Sequence, residues 1–196
     1  YASTMSVYGQ QGKKEKFSES DVTMPQSFYA VGKLASENYL RIYQKQYGIK
    51  YTSLRYFNVY GAGQNLENLK QGMISIYLKQ FIDDSFKKVE IKGSIERFRD
   101  FSYIDDVVGV SIESIHNPKF YNQVINIGTG KKTTIKEILE LMKRFLKSDK
   151  EIITSKGTRG DQFGAYADIS KLELIYKKEF MDINVGLGKT IKAIKK

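Results

Sequence analysis

The chain has 196 residues, 41% of them hydrophobic and 28% charged, which is apolar material for one good-sized domain or for part of a larger one. It has no cysteine and a single histidine, His116. A disulfide framework, a thiolate nucleophile and a Cys-based zinc site are therefore excluded, and little is left for a His-based triad or metal site. The net charge of +10 comes from 26 Lys and 6 Arg spread from Lys13 to Lys196 among Asp and Glu, with no basic stripe interleaved with aromatics; a solvated lysine-rich surface is expected, and no nucleic-acid partner.

No apolar run is long enough to span a membrane and there is no signal-peptide pattern, so a cytoplasmic protein without a membrane partner is expected. The chain opens on Tyr1 inside a strand-like stretch, YASTMSVY (1–8), and reads as a fragment or as a chain without its natural N-terminus. A polar loop follows. A helix is predicted from about Gln26 to Tyr47, where Phe28, Val31, Leu34, Ala35, Tyr39 and Ile42 recur at helical spacing and Gly48 supplies the stop. The β-branched and aromatic stretch KYTSLRYFNVYG (50–61) reads as one strand, and a helix is placed at 73–84. KKVEIKG (87–93) and FRDFSYI (98–104) read as extended. Asp105 or Asp106 is placed to cap a helix over 106–116, with His116 at its end. NQVINIG (122–128) reads as a strand. TTIKEILELMKRFLKS (133–148) reads as an amphipathic helix capped by Thr133 or Thr134 with Glu137 near its start. A strand at 150–157 and two terminal helices, 168–178 and 186–196, complete an alternating α/β pattern.

Tyr29 and Lys33 stand four apart and share one face of the first helix. By itself that spacing is no more than chance in a chain rich in Tyr and Lys. Its meaning comes from four stretches in order: STMSVYG (3–9), YAVGK (29–33), LRYFNVYG (54–61) and RFRDFSYIDDV (97–107). Together with VINIGTG (124–130) and RGDQFGAYADISK (159–171), they resemble the extended short-chain dehydrogenase/reductase superfamily, in its nucleotide-sugar epimerase/dehydratase branch.

That resemblance implies the C-terminal part of a Rossmann-like doubly wound parallel sheet plus a smaller α/β substrate-binding domain. Residues 1–60 would form the second half of the NAD-binding domain. Residues 61–196 would form mainly the substrate domain, with some segments returning to the first. It implies NAD as cofactor, a nucleotide-diphosphate sugar of the UDP type as substrate, and a homodimer in the complete protein, built on the Tyr/Lys helix. Tyr29 would be the catalytic acid/base, Lys33 would stabilise its phenolate and hold the nicotinamide ribose, and Thr4 would hydrogen-bond the reacting hydroxyl. Tyr56 and Phe57 would lie near the nicotinamide or simply pack the core. Asn58 and Arg99 would contact the diphosphate, the latter through a guanidinium suited to bidentate binding. Asp161 would meet the ribose. Asp100, Asp105 and Asp106 read as structural. No metal site is expected.

Departures from the family pattern refine the expectation. Met5 and Ser6 follow Thr4 where dehydratases carry Asp-Glu, so the groups for elimination of water are missing and a plain 4-epimerase through a 4-keto intermediate remains. Thr158 stands where the family has Arg. Seven places on, Ala165 occupies a gate position, small enough to admit a 2-acetamido sugar beside the plain one. None of the 16 glycines forms the family's Gly-rich strand–turn–helix for the pyrophosphate. A dehydratase or other extended dehydrogenase/reductase enzyme stays open as an alternative. So does a catalytically inactive fragment or sugar-nucleotide-binding module.

Overall fold

Residues 1–69, 72–157 and 163–194 are described by a computed structural model. The expected elements are present, with short ones added between them. Strand β1 (Ala2–Thr4) runs into a 3-10 turn at Met5–Tyr8 rather than continuing as a strand to residue 8. The reason is local: Thr4 Oγ1 accepts from the Ser6 N–H and caps the turn. Gly9 then adopts φ +62, where a Cβ would also collide with the Met24 carbonyl. After β2 (Lys16–Phe17) comes helix α1 (Phe28–Tyr47), capped by Ser27 and ended by left-handed Gly48.

The predicted strand over 50–61 is two strands, β3 (Thr52–Tyr56) and β4 (Asn58–Tyr60), because the Phe57 N–H turns to the Ile127 carbonyl and the Asn58 N–H to the Asp100 carbonyl. Then follow α2 (Met73–Ile82), β5 (Lys88–Lys92), β6 (Phe98–Arg99), β7 (Phe101–Tyr103) and α3 (Ile104–His116). Asp105 and Asp106 lie inside the first turn of α3, not at its cap, which is Tyr103. Asp106 instead accepts from the Met181 N–H at 2.7 Å, a partner distant in sequence. The chain continues through β8 (Gln123–Ile127), β9 (Thr133–Thr134), α4 (Ile135–Leu146), β10 (Glu151–Ser155), β11 (Gly164–Ala167), α5 (Ser170–Ile175) and α6 (Ile183–Ile194).

The sheets are parallel with a single antiparallel pairing, β6 with β9, among the described residues. β1, β3 and β8 form one sheet in that order, and β4 pairs with β7 and β5 with β10. β2, β11, β6 and β9 form the fourth sheet. The three-stranded sheet has two unlike faces. Leu54, Ile125 and Ile127 pack with Val107 and Val110 of α3 and Leu172 of α5. The alternate positions put Ser3, Arg55 and Asn126 in register across the sheet on its other face.

A second core gathers Ile74, Tyr77, Leu78 and Phe81 of α2 with Ile135, Ile138, Leu139 and Met142 of α4, both sets at i, i+3, i+4, i+7 spacing. The capping box at the head of α4 is complete: Thr134 Oγ1 accepts from the Glu137 N–H at 3.1 Å, and Glu137 Oε2 accepts from the Thr134 N–H at 2.6 Å.

Asp100 joins the sheets. Its carboxylate, fully buried, accepts from the Thr129 N–H and hydroxyl, the Gly130 N–H and the Ala167 N–H. Burial pushes this carboxyl above its ordinary range, and the four donors oppose that shift. The fit is close: a Cβ at Gly128 would fall 2.6 Å from Asp100 Oδ2.

Two outcomes follow. Thr134→Ala should cost about 1 kcal/mol and lower the melting temperature by about 2–4 °C, read by thermal unfolding under circular dichroism. Asp100→Ala strands the buried Ala167 N–H at about 1–3 kcal/mol and also frees the half-buried Thr129 and Gly130 N–H groups, a loss of about 2 kcal/mol or more. Urea unfolding measures it, and a loss below about 1 kcal/mol would show that the carboxylate is no junction.

Candidate active site

In sheets of parallel strands, ligands bind outside the carboxyl ends. β1 and β3 end at Thr4 and Tyr56, and β8 ends at Ile127, so the 3-10 turn, the Phe57–Asn58 corner and the Gly128–Gly130 turn meet at this edge. Helix α1 packs on β1 and the 3-10 turn, bringing Tyr29 and Lys33 beside the strand that ends in Thr4.

The Lys33 ammonium donates to the Ala2 carbonyl at 2.8 Å and lies 5.6 Å from the centre of the Tyr29 ring and 5.0 Å from that of Tyr1. One of its three donors is thus engaged and two remain. Tyr29 is 57% exposed, so its hydroxyl is open to a ligand. Thr4 is buried, and its Oγ1 donates to Ser6 Oγ at 3.2 Å while accepting from the Ser6 N–H.

The other predicted residues divide by face. Phe57 is buried with Met5, Val7, Tyr8 and Phe17, against Leu34 of α1. Tyr56 turns the opposite way, its hydroxyl 2.9 Å from Ser111 Oγ on α3. Asn58 Oδ1 is buried with no hydrogen-bond partner, an acceptor suited to a polar ligand. Arg99 is buried, and its Nη1 donates to the carbonyls of Phe98 and Phe163. Burial, then the neighbouring Arg97, pulls this guanidinium down to about 10, with Tyr77 opposing. Such a group is stabilised by an approaching anion. Ala165 is fully buried beside Arg99 in the strand register, in the cluster that holds Met5. Asp161 and Thr158 lie outside the described residues.

The described residues fit one end of a dinucleotide. Lys33 offers two donors for ribose hydroxyls beside Tyr29. A phosphate cradle is not formed by the glycine turn after β8, because the Thr129 and Gly130 amides already bind Asp100. A cavity of about 460 Å³ opens from that same turn, lined by Gly128, Thr129, Lys131, Leu172, Tyr176 and Phe180. A smaller one of about 320 Å³ adjoins Phe163 and Gly164, with Lys13 and Lys14 on its wall.

Sequence reasoning passed over a buried polar group under α1. Glu37 accepts from Arg55 Nε at 3.0 Å and Nη2 at 2.7 Å, and also from the Ser3 hydroxyl. The Arg55 guanidinium lies 4.8 Å from the centre of the Tyr8 ring, and the Tyr8 hydroxyl donates to Asn126 Oδ1 at 2.6 Å. Burial pushes the Tyr8 phenol up to about 12 against the pull of Arg55, so it remains a donor at neutral pH. The available signal was a charged residue inside an apolar strand, SLRYF, and an acid one turn beyond Lys33.

Comparison with known proteins identifies the family. A profile of the NAD dependent epimerase/dehydratase family matches residues 1–128. A putative UDP-glucose 4-epimerase of Methanocaldococcus jannaschii is 32% identical over 171 residues, covering 87% of this chain and 54% of its own length. The structure of UDP-N-acetylglucosamine 4-epimerase from Methanobrevibacter ruminantium, in complex with UDP-N-acetylmuramic acid, superposes with a TM-score of 0.92 at 31% identity, over 100% of this chain and 62% of that one. UDP-glucose 4-epimerase of Thermotoga maritima with UDP-glucose gives 0.91 at 31% identity, over 99% and 62%. The chain spans a little over half of that curated relative and about three-fifths of those two structures. With its Tyr/Lys helix seated at the carboxyl end of a parallel sheet, the chain belongs to the NAD dependent epimerase/dehydratase family.

Proposed function

We propose that the complete protein epimerises a UDP-sugar at C4 with NAD as cofactor. The observation that carries the reading is Tyr29 and Lys33 on one face of α1, beside the strand that ends in Thr4. NAD, when bound, supplies a reversible two-electron acceptor for the sugar carbon. Tyr29 receives the proton of the sugar hydroxyl and returns it, and the Lys33 ammonium stabilises the phenolate and holds the ribose. Thr4 orients the reacting hydroxyl. Asn58 and Arg99 hold the diphosphate, and Asp161 and Ala165 complete the substrate site. Phe57 supports the cofactor pocket from the corner after β3, while Tyr56 packs toward α3, the core role that was its alternative.

Elimination of water has less support. Met5 has no proton to transfer, and Ser6 is engaged with Thr4. Relatives named for the 4-epimerisation of UDP-glucose and UDP-N-acetylglucosamine point to the substrate class. Ala165 packs in the same cluster as Met5, the residue after Thr4, so its small size bears on the room beside the sugar. The exposed apolar side chains of α1, Phe28, Val31, Tyr39 and Ile42, suit a homodimer built on this helix. No described helix is long and apolar enough to cross a membrane, and we assign the reaction to the cytoplasm. A second reading, a sugar-nucleotide-binding module without redox activity, is favoured by one observation: the glycine-turn amides are already taken by Asp100.

Incubation with NAD and UDP-glucose or UDP-N-acetylglucosamine, followed by NMR of the sugar, separates the two. Epimerised product supports the enzyme, and tight sugar-nucleotide binding without product supports the module. Tyr29→Phe should lower turnover by about 10²-fold or more and leave substrate binding in place; full turnover in this variant would sink the proposal. Ala165→Tyr should depress turnover of the N-acetyl sugar at least about tenfold more than that of the plain sugar, at an overpacking cost of about 1–3 kcal/mol. An unchanged ratio removes Ala165 as the gate.

A further inference from the structure

Of the twenty residues of α1, the buried ones are Ala30 and Glu37. The side chains expected to form its apolar face are largely in solvent: Phe28 is 99% exposed, Tyr39 63% and Val31 51%. Among the described residues, the helix that carries Tyr29 and Lys33 is therefore not seated by a broad apolar stripe. Its seat is polar. Glu37, one turn after Lys33, binds Arg55 in the bidentate fork that fixes angle as well as distance. The same carboxylate takes the Ser3 hydroxyl, next to Thr4. Ser3, Arg55 and Asn126 are register partners across β1, β3 and β8, and Tyr8 closes the row onto Asn126.

We propose that Glu37 and Arg55 are positioning residues: the pair sets the axial and rotational register of α1 on the sheet, and so holds Tyr29 and Lys33 opposite Thr4. Apolar contacts are non-directional and tolerate sliding, whereas a forked ion pair shared with a strand residue does not. The functional meaning rests on Tyr29 and Lys33 being the reacting pair, as proposed above. The placement of the helix does not.

The test measures placement without substrate. The chain has no cysteine, so Asn38→Cys on α1 and Lys119→Cys beyond α3, both exposed, accept a pair of spin labels without background. Two backgrounds are compared with the parent. Glu37→Gln keeps the volume and removes the charge. Ser3→Ala/Glu37→Leu/Arg55→Met replaces the row with apolar groups, an exchange that buried ion pairs often tolerate without loss of stability. The expected result is a label-to-label distance distribution at least about twice as wide in a variant that melts within a few degrees of the parent. With it comes turnover reduced at least about tenfold at unchanged KM. A parent-like distribution in the triple variant overturns the proposal. If the triple variant does not fold, Glu37→Gln decides by the same criterion. A widened distribution together with full turnover by Tyr29→Phe would leave the positioning role standing and remove the epimerase reading instead.

Discussion

One buried carboxylate ties the carboxyl edge of this fold together. Asp100 reaches the turn after β8 through Thr129 and Gly130 and the end of β11 through Ala167, while its own carbonyl accepts from the Asn58 N–H at the head of β4. Three sheets thereby share one residue. Burying a charge is costly unless donors surround it, and four donors do so here. A neutral acceptor such as Asn would bring N–H groups of its own into a ring of donors. The corner where Asn58 presents its buried acceptor, and where Arg99 stands one residue before Asp100, is held by this contact rather than by strand length. β4, β6 and β7 are only two or three residues long.

The three-stranded sheet divides its labour between faces. Toward α3 and α5 it is apolar and ordinary, with Leu54, Ile125 and Ile127 as its core. Toward α1 it carries Ser3, Arg55 and Asn126 in a row. That asymmetry explains why a long helix leaves most of its aromatic side chains in solvent and still keeps a defined place. Tyr29 and Lys33, the buried ion pair and the 3-10 turn lie on the polar side, and the larger of the two cavities runs from the Gly128–Thr129 turn to Leu172 and Tyr176.

What could be read from the chain, and what could not, follows from range. The stop of α1 at Gly48 and the head of α4, with Thr134 one of two candidate caps and Glu137 near its start, are written in neighbouring residues and were legible, whereas the Ser27 cap of α1 was not singled out. Strands β2, β9 and β11 were not, because two to four residues become strands only through partners far away in sequence. Asp105 and Asp106 looked like caps because a local rule applied, yet Asp106 answers to the Met181 N–H, 75 residues away. The corner at Phe57 split an expected strand for the same reason. The Tyr29/Lys33 pair stood out only through the order of several motifs. Glu37 and Arg55 were missed because a single charge in a periodic stretch ordinarily signals solvent, and only the fold brings the two within 2.7 Å.

A helix fastened at so few points also has a thermal consequence. Segments with little buried apolar surface open locally at a fraction of the global unfolding free energy. α1 is such a segment, whereas α2 and α4 are locked in the main core. In a lone copy of the chain, the helix bearing Tyr29 and Lys33 is therefore the segment expected to open first on warming, ahead of α2 and α4.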